Sequence, residues 1–156
     1  MTFIRGYLGC ILLVLFVKPA LAQQVPTSQS AMPIQELAPY MRELQVLTHK
    51  LSLSVAHANF ELANFYVYES LEQLETIKEA VPEYRGIAVA YFIDRLMTPE
   101  YEKLRQVLDK NNEPGAAAAM KSLVDSCNQC HQTTKHGFIR ILDRGDFNPF
   151  NQDFTP

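Results

Sequence analysis

Apolar residues recur at steps of three and four through most of residues 34–137. Leu37, Met41, Leu44, Leu47, Leu51 and Val55 form one such stripe, and that spacing puts them on one face of an α-helix. Asn59 follows at a break and is a candidate cap for a second helix over about residues 60–81. Phe60, Ala63, Val67, Leu71, Leu74, Ile77 and Val81 share one face of it, while Glu61, Glu69, Glu72, Glu75 and Glu79 lie elsewhere. Pro82 ends it, because proline cannot continue the helical hydrogen bonding. The third region, residues 84–110, is less regular. GIAVAYFIDRLM is nearly all apolar, and Thr98-Pro99-Glu100 reads as a cap with proline in the first turn. The pattern predicts one long helix, kinked or broken near Thr98. NNEPG at 111–115 predicts a turn, with Pro114 starting a fourth helix. Ala116, Met120, Leu123, Cys127, Cys130 and Thr134 step along that helix, and Gly137 is its expected stop.

No alternating strand pattern and no internal repeat interrupts this. An amphipathic helix must bury its stripe against neighbours, and short connections make consecutive helices run in opposite directions. The expected fold is therefore all-α, an antiparallel four-helix bundle over residues 34–137.

The ends of the chain differ from the middle. Residues 1–22 hold a single early basic residue, Arg5, an apolar run from Tyr7 to Val17, and the small-residue pattern Ala20-Leu21-Ala22. This is the layout of a secretory signal peptide, with cleavage expected after Ala22. The run is short for a bilayer span, so no stable membrane insertion is expected once it is removed. Residues 23–33, QQVPTSQSAMP, predict a flexible linker. Residues 138–156 have no helical period and predict an irregular tail.

Export changes both charge and cysteine chemistry. The chain carries 14 Lys and Arg against 17 Asp and Glu; losing Arg5 and Lys18 leaves 12 and moves the net charge from −3 to −5. An acidic chain without a basic cluster excludes nucleic acid as the expected partner. Cys10 leaves with the signal peptide, so the mature chain keeps only Cys127 and Cys130. In an oxidising compartment two lone cysteines persist as a disulfide, a ligand pair or a covalent adduct.

Those cysteines stand in SCNQCHQTTKH, residues 126–136, where Cys127, Cys130 and His131 spell C-x-x-C-H. The motif has three chemistries: a dithiol redox pair, a zinc site, or attachment of a c-type haem. On a helix the three residues share one face. Stepping back through Leu123 and Met120 identifies that face as the core-facing one. This suits a haem, with two thioethers holding the porphyrin edge and His131 under the ring as iron ligand. A thioredoxin-like dithiol needs the motif at a helix start beside a strand–helix–strand unit. Zinc could take Cys127, Cys130 and His136, but the second ligand pair of a structural site usually comes from elsewhere in the chain, and His49 and His57 lie in the first helix region. Haem c is the preferred reading, with an exported zinc or thiol protein as the remaining alternative.

CNQCHQTTK near the C-terminus of an exported bundle resembles the class II c-type cytochromes, the cytochrome c′ group and its low-spin relatives. The likeness covers roughly residues 34–137 and is architectural outside the motif. It implies one covalent haem c, a periplasmic location and His131 as the proximal ligand. Lys135 matches the basic residue that often stands four places after the haem histidine in that group. Lys135 is a candidate partner for a haem propionate, although a basic residue near a helix C-terminus is also favoured by the dipole. Members of the group are often dimers through their first two helices, which makes a homodimer an implied state here. The group holds both electron carriers and gas-binding proteins.

The sixth iron ligand separates those functions, because a strong protein ligand suits electron transfer and an open side admits a small gas. His131 lies about five residues before the expected end of its helix. In an antiparallel first helix starting near residue 35, the level position is about residue 41, which is Met41. His49 is roughly 12 Å further along the axis, level with Leu123. Met41 is the preferred sixth ligand; an open distal side and His49 are the alternatives, and a slip of one turn brings Leu37 or Leu44 to the iron. Methionine on an apolar stripe is also ordinary core filler. His57 and His136 are expected to face solvent, and Phe60, Phe65, Tyr66, Tyr68, Tyr91 and Phe92 to lie mostly in the core. The expected function is a single-haem periplasmic electron carrier serving redox partner proteins; the alternative is an NO- or CO-binding protein. No nucleophile–base pair or carboxylate constellation suggests an enzyme.

Overall fold

The computed structural model describes residues 36–156. The expected signal peptide and linker lie outside the described residues. The helices are α1 (Ala38–Ala56), α2 (Phe60–Ala80), α3 (Val89–Phe92), α4 (Thr98–Leu108) and α5 (Glu113–Thr133), with a π-helical turn, Ile93–Met97, joining α3 to α4. Taken with that turn, α3 and α4 make one interrupted stretch, so four long helical stretches form a helical bundle. Among the described residues there is no strand, only an isolated bridge between Tyr84 and Ile87. None of the described helices is long and apolar enough to cross a membrane.

Local chemistry sets the breaks. Asn59 caps α2 by accepting the Leu62 N–H at 3.1 Å, and Asn112 caps α5 by accepting the Gly115 N–H at 3.2 Å, each satisfying a donor that has no helical partner. The third region is interrupted near Thr98 as expected, but it begins later than the expected start at residue 84. Arg85 and Gly86 both take positive φ, 52° and 79°, so the chain turns sharply and helix begins only at Val89. The π turn then lies immediately before Pro99. Proline has no N–H for the Arg95 carbonyl and its ring crowds that carbonyl; widening the preceding turn relieves the clash. Ile93 and Met97 stay buried through it, at 0% and 3% exposure.

The end of α5 also differs from expectation. Gly137 does not stop it; the helix ends at Thr133, and Lys135 takes the left-handed conformation with φ 64°. The Lys135 N–H bonds to the Gln132 carbonyl at 3.2 Å and the His136 N–H to the His131 carbonyl at 2.7 Å. These two bonds satisfy carbonyls of the last turn, with a lysine where glycine is usual.

α1 packs on α2, α2 on α4, α4 on α5, and α5 returns to α1 and the π turn. Leu51, Leu74, Ile77, Ile93, Tyr101, Leu104 and Leu123 are fully buried between them. Each aliphatic side chain removed from water this way contributes about 1.5–3 kcal/mol. The aromatic expectation is corrected: of the six residues, only Tyr66 is buried, Phe60 and Phe92 are half-buried, and Phe65, Tyr68 and Tyr91 are exposed. Helical spacing could not distinguish the core face from its flanks, and the deep aromatic is Tyr101.

The tail is irregular in conformation but tightly held. The Ser52 hydroxyl donates to the Asp143 carboxylate, the Tyr66 phenol donates to Gln152 Oε1 at 2.7 Å, and Phe154 is buried at 2% exposure. Residues 138–156 thus run as a strap from the end of α5 across α1 and α2.

Candidate functional site

A cavity of about 460 Å³ opens where the start of α1, the π turn and the end of α5 meet, within the size range of cofactor pockets, roughly 300–1,000 Å³. Leu37, just before α1, and Met41, Leu44 and Thr48 of α1 line one side; the π turn contributes Ile93 and Met97; α5 contributes Cys127, Cys130 and His131. Ile139 and Ile141 of the strap close one side. The wall is mainly apolar, as the helical stripes dictate.

Cys127 is buried, Cys130 is half-buried, and both thiols are free. Burial pushes the Cys127 thiol up to about 12, with the neighbouring Cys130 charge adding to it. Burial raises Cys130 as well. A redox-active C-x-x-C needs the opposite, a thiol lowered toward the thiolate. The site also lies at the end of α5, away from the helix N-terminus that could lower it.

His131 has a defined tautomer. Its Nδ1 lies 2.9 Å from the Ile139 carbonyl oxygen. A carbonyl only accepts, so Nδ1 carries a proton, and in the neutral ring the lone pair is on Nε2. A ring nitrogen fixed in this way is oriented for metal ligation. His136 lines the same cavity and is half-buried rather than solvent-facing, because the turn at Lys135 folds it back. Even so, among the described residues no group of three or more His, Cys, Asp or Glu side chains comes together to hold a metal ion.

Met41 lies on the cavity wall of α1 with Leu44, beside Leu37 at the helix N-cap. His49 does not line the cavity. Its Nε2 donates to the carbonyls of Phe147 at 2.9 Å and Arg144 at 3.1 Å, and its ring packs edge-on to Phe150. His57 is exposed. Lys135 is exposed and does not line the cavity; the cationic side chain on the wall is Arg42, one residue after Met41.

Sequence reasoning missed Met97, Arg42, Tyr84 and the strap residues Ile139 and Ile141. Met97 stands four residues after Ile93 and one before the Thr98-Pro99 break, a spacing that could have marked it as interior. Nothing in the tail's pattern signalled that it would reach the site. Chemically, two thiols one turn apart and one imidazole lone pair at an apolar cavity can tether a planar ligand and bind a metal within it. No family model, no curated protein and no solved structure matches this chain.

Proposed function

We propose that the chain is an exported, single-haem c-type cytochrome that carries electrons in the periplasm. Its described residues then form an antiparallel four-helix bundle, a direction of travel supported by the short connections at 57–59 and 109–112 and by the packing of α1 on α2 and α4 on α5. One observation carries the reading: Cys127, Cys130 and a His131 with Nδ1 already bonded to Ile139 all line one apolar cavity of about 460 Å³.

The residues present fit the group. Cys127 and Cys130 would hold the haem through two thioethers, formed by net addition of each S–H across a vinyl group with no oxidant and no leaving group. His131 Nε2 would ligate the iron, and Met41, on the α1 wall, would be the candidate second protein ligand. Leu37, Leu44, Ile93 and Met97 exclude water, which keeps the local dielectric low. Arg42, on the cavity wall, would be a cationic partner for a propionate beside the expected Lys135, which lies off that wall. When bound, the haem supplies the one-electron couple of its iron. The raised thiols speak against dithiol chemistry, and the lack of a three-ligand cluster among the described residues speaks against zinc.

The test is an absorption spectrum of the protein exported from a host that matures c-type cytochromes, taken oxidised, reduced, and reduced with carbon monoxide. Sharp low-spin reduced bands that ignore carbon monoxide are expected. A high-spin spectrum that shifts strongly with carbon monoxide would move the function to gas binding at an open distal side. Absence of haem bands would overturn both.

A further inference from the structure

We propose that Asn128 is a positioning residue: its carboxamide clips the strap backbone at Ile141 and so holds the Ile139 carbonyl on His131 Nδ1. This rests on the haem reading and deepens it. Asn128 Nδ2 donates to the Ile141 carbonyl at 2.9 Å, and Asn128 Oδ1 accepts the Ile141 N–H at 2.8 Å. Two parallel bonds fix both the place and the orientation of one backbone unit, as in a strand pair. Asn128 and His131 are three apart on α5, hence on neighbouring positions of one face. Ile139 is two residues from Ile141, a span of only ~7 Å even when extended, so a fixed Ile141 leaves the Ile139 carbonyl little play.

Side-chain burial holds this segment only at Ile141, which packs partly against the core. Phe138 is 82% exposed, Ile139 45% and Leu142 58%. The next anchors, Ser52 to Asp143 and His49 to the Arg144 and Phe147 carbonyls, secure the strap beyond Leu142. Beside His131, the Ile139 N–H bonds to the His136 carbonyl at 2.8 Å, and the Asn128 clip adds the two polar bonds that tie the following turn of the strap to α5. Donation from Nδ1–H to a carbonyl raises the basicity of the ligating nitrogen. A more basic ligand favours the more highly charged, oxidised iron, so losing the clip should raise the reduction midpoint.

The experiment uses the full-length exported protein, with haem content read from its absorption before variants are compared. Lack of haem in the unaltered protein would sink the functional proposal and is seen at that step. With haem present, Asn128→Leu should exchange the His131 Nδ1–H proton with solvent at least tenfold faster by NMR. Its midpoint should rise toward a tenfold change in the reduced-to-oxidised ratio, about 59 mV. Phe154→Ala, which loosens the far end of the strap, should leave both values in place. If Asn128→Leu does not accumulate, Asn128→Asp serves instead, because it keeps the acceptor and loses the donor. A haem-loaded Asn128 variant with unchanged proton exchange and unchanged midpoint overturns the proposal.

Discussion

The Tyr101 phenol and the Thr48 hydroxyl meet at 2.9 Å inside the bundle, and Thr48 donates its own proton to the Leu44 carbonyl at 2.8 Å. Thr48 has one proton and has spent it on Leu44, so Tyr101 is the donor of the pair. The relay joins α4 to α1 directly behind the cavity wall. Tyr101→Phe should remove one hydrogen bond and cost about 1 kcal/mol, whereas Tyr101→Ala should leave a hole costing about 3–5 kcal/mol. Urea unfolding of the two variants checks the ratio.

Met41 and Met97 both line the cavity but from different elements, and their variants should separate. Met41→Ala is expected to turn the haem protein high-spin and open it to carbon monoxide. Met97→Leu conserves volume at a buried site, so its cost should stay below about 1.5 kcal/mol with the spectrum unchanged. An unaltered spectrum in Met41→Ala would remove Met41 as the sixth ligand.

The buried Cys127 thiol gives the haem-free chain a pH dependence. Folding raises it from its ordinary value near 9 to about 12, so the folded chain keeps a proton that the unfolded chain gives up. Its contribution to stability is fully present below pH 9 and is lost as pH climbs toward 12. The buried Tyr101 phenol, also raised by burial, acts in the same direction above pH 10. The urea midpoint of haem-free protein should therefore fall over this range, and fall less in Cys127→Ala. With haem attached the sulfur is a thioether, and the thiol share of the fall should vanish.

Gly145 marks where the strap crosses α1. A Cβ there would stand 2.6 Å from the Ala56 Cβ and 3.0 Å from the Ser52 carbonyl oxygen, and neither neighbour is a flexible side-chain end. Gly145→Ala should push the strap away at a cost of about 1–3 kcal/mol. Faster proteolysis within residues 138–156, with the helical circular dichroism retained, is the expected result.

The amino-acid sequence by itself determined the four helical stretches in outline, the cap at Asn59, and the shared face of Cys127, Cys130 and His131, while the Asn112 cap emerged only in the structure. The first three depend on residues within a turn or two of one another, where periodicity and side-chain reach suffice. It also drew attention to Met41, because register between helices follows once their lengths are known. Tertiary structure decided the rest. Placing Lys135 off the wall depended on how α5 terminates, which a lysine in a left-handed turn concealed, and Arg42 reached the wall through the packing of α1. The retreat of His49 from the cavity was set by two carbonyls nearly 100 residues away. The strap is the clearest case: its residues have no period to read, and its position comes from polar contacts to α1, α2 and α5 together with the burial of Phe154. Hydrophobic periodicity reports which face is buried, but not which distant backbone will satisfy a particular imidazole or carboxamide.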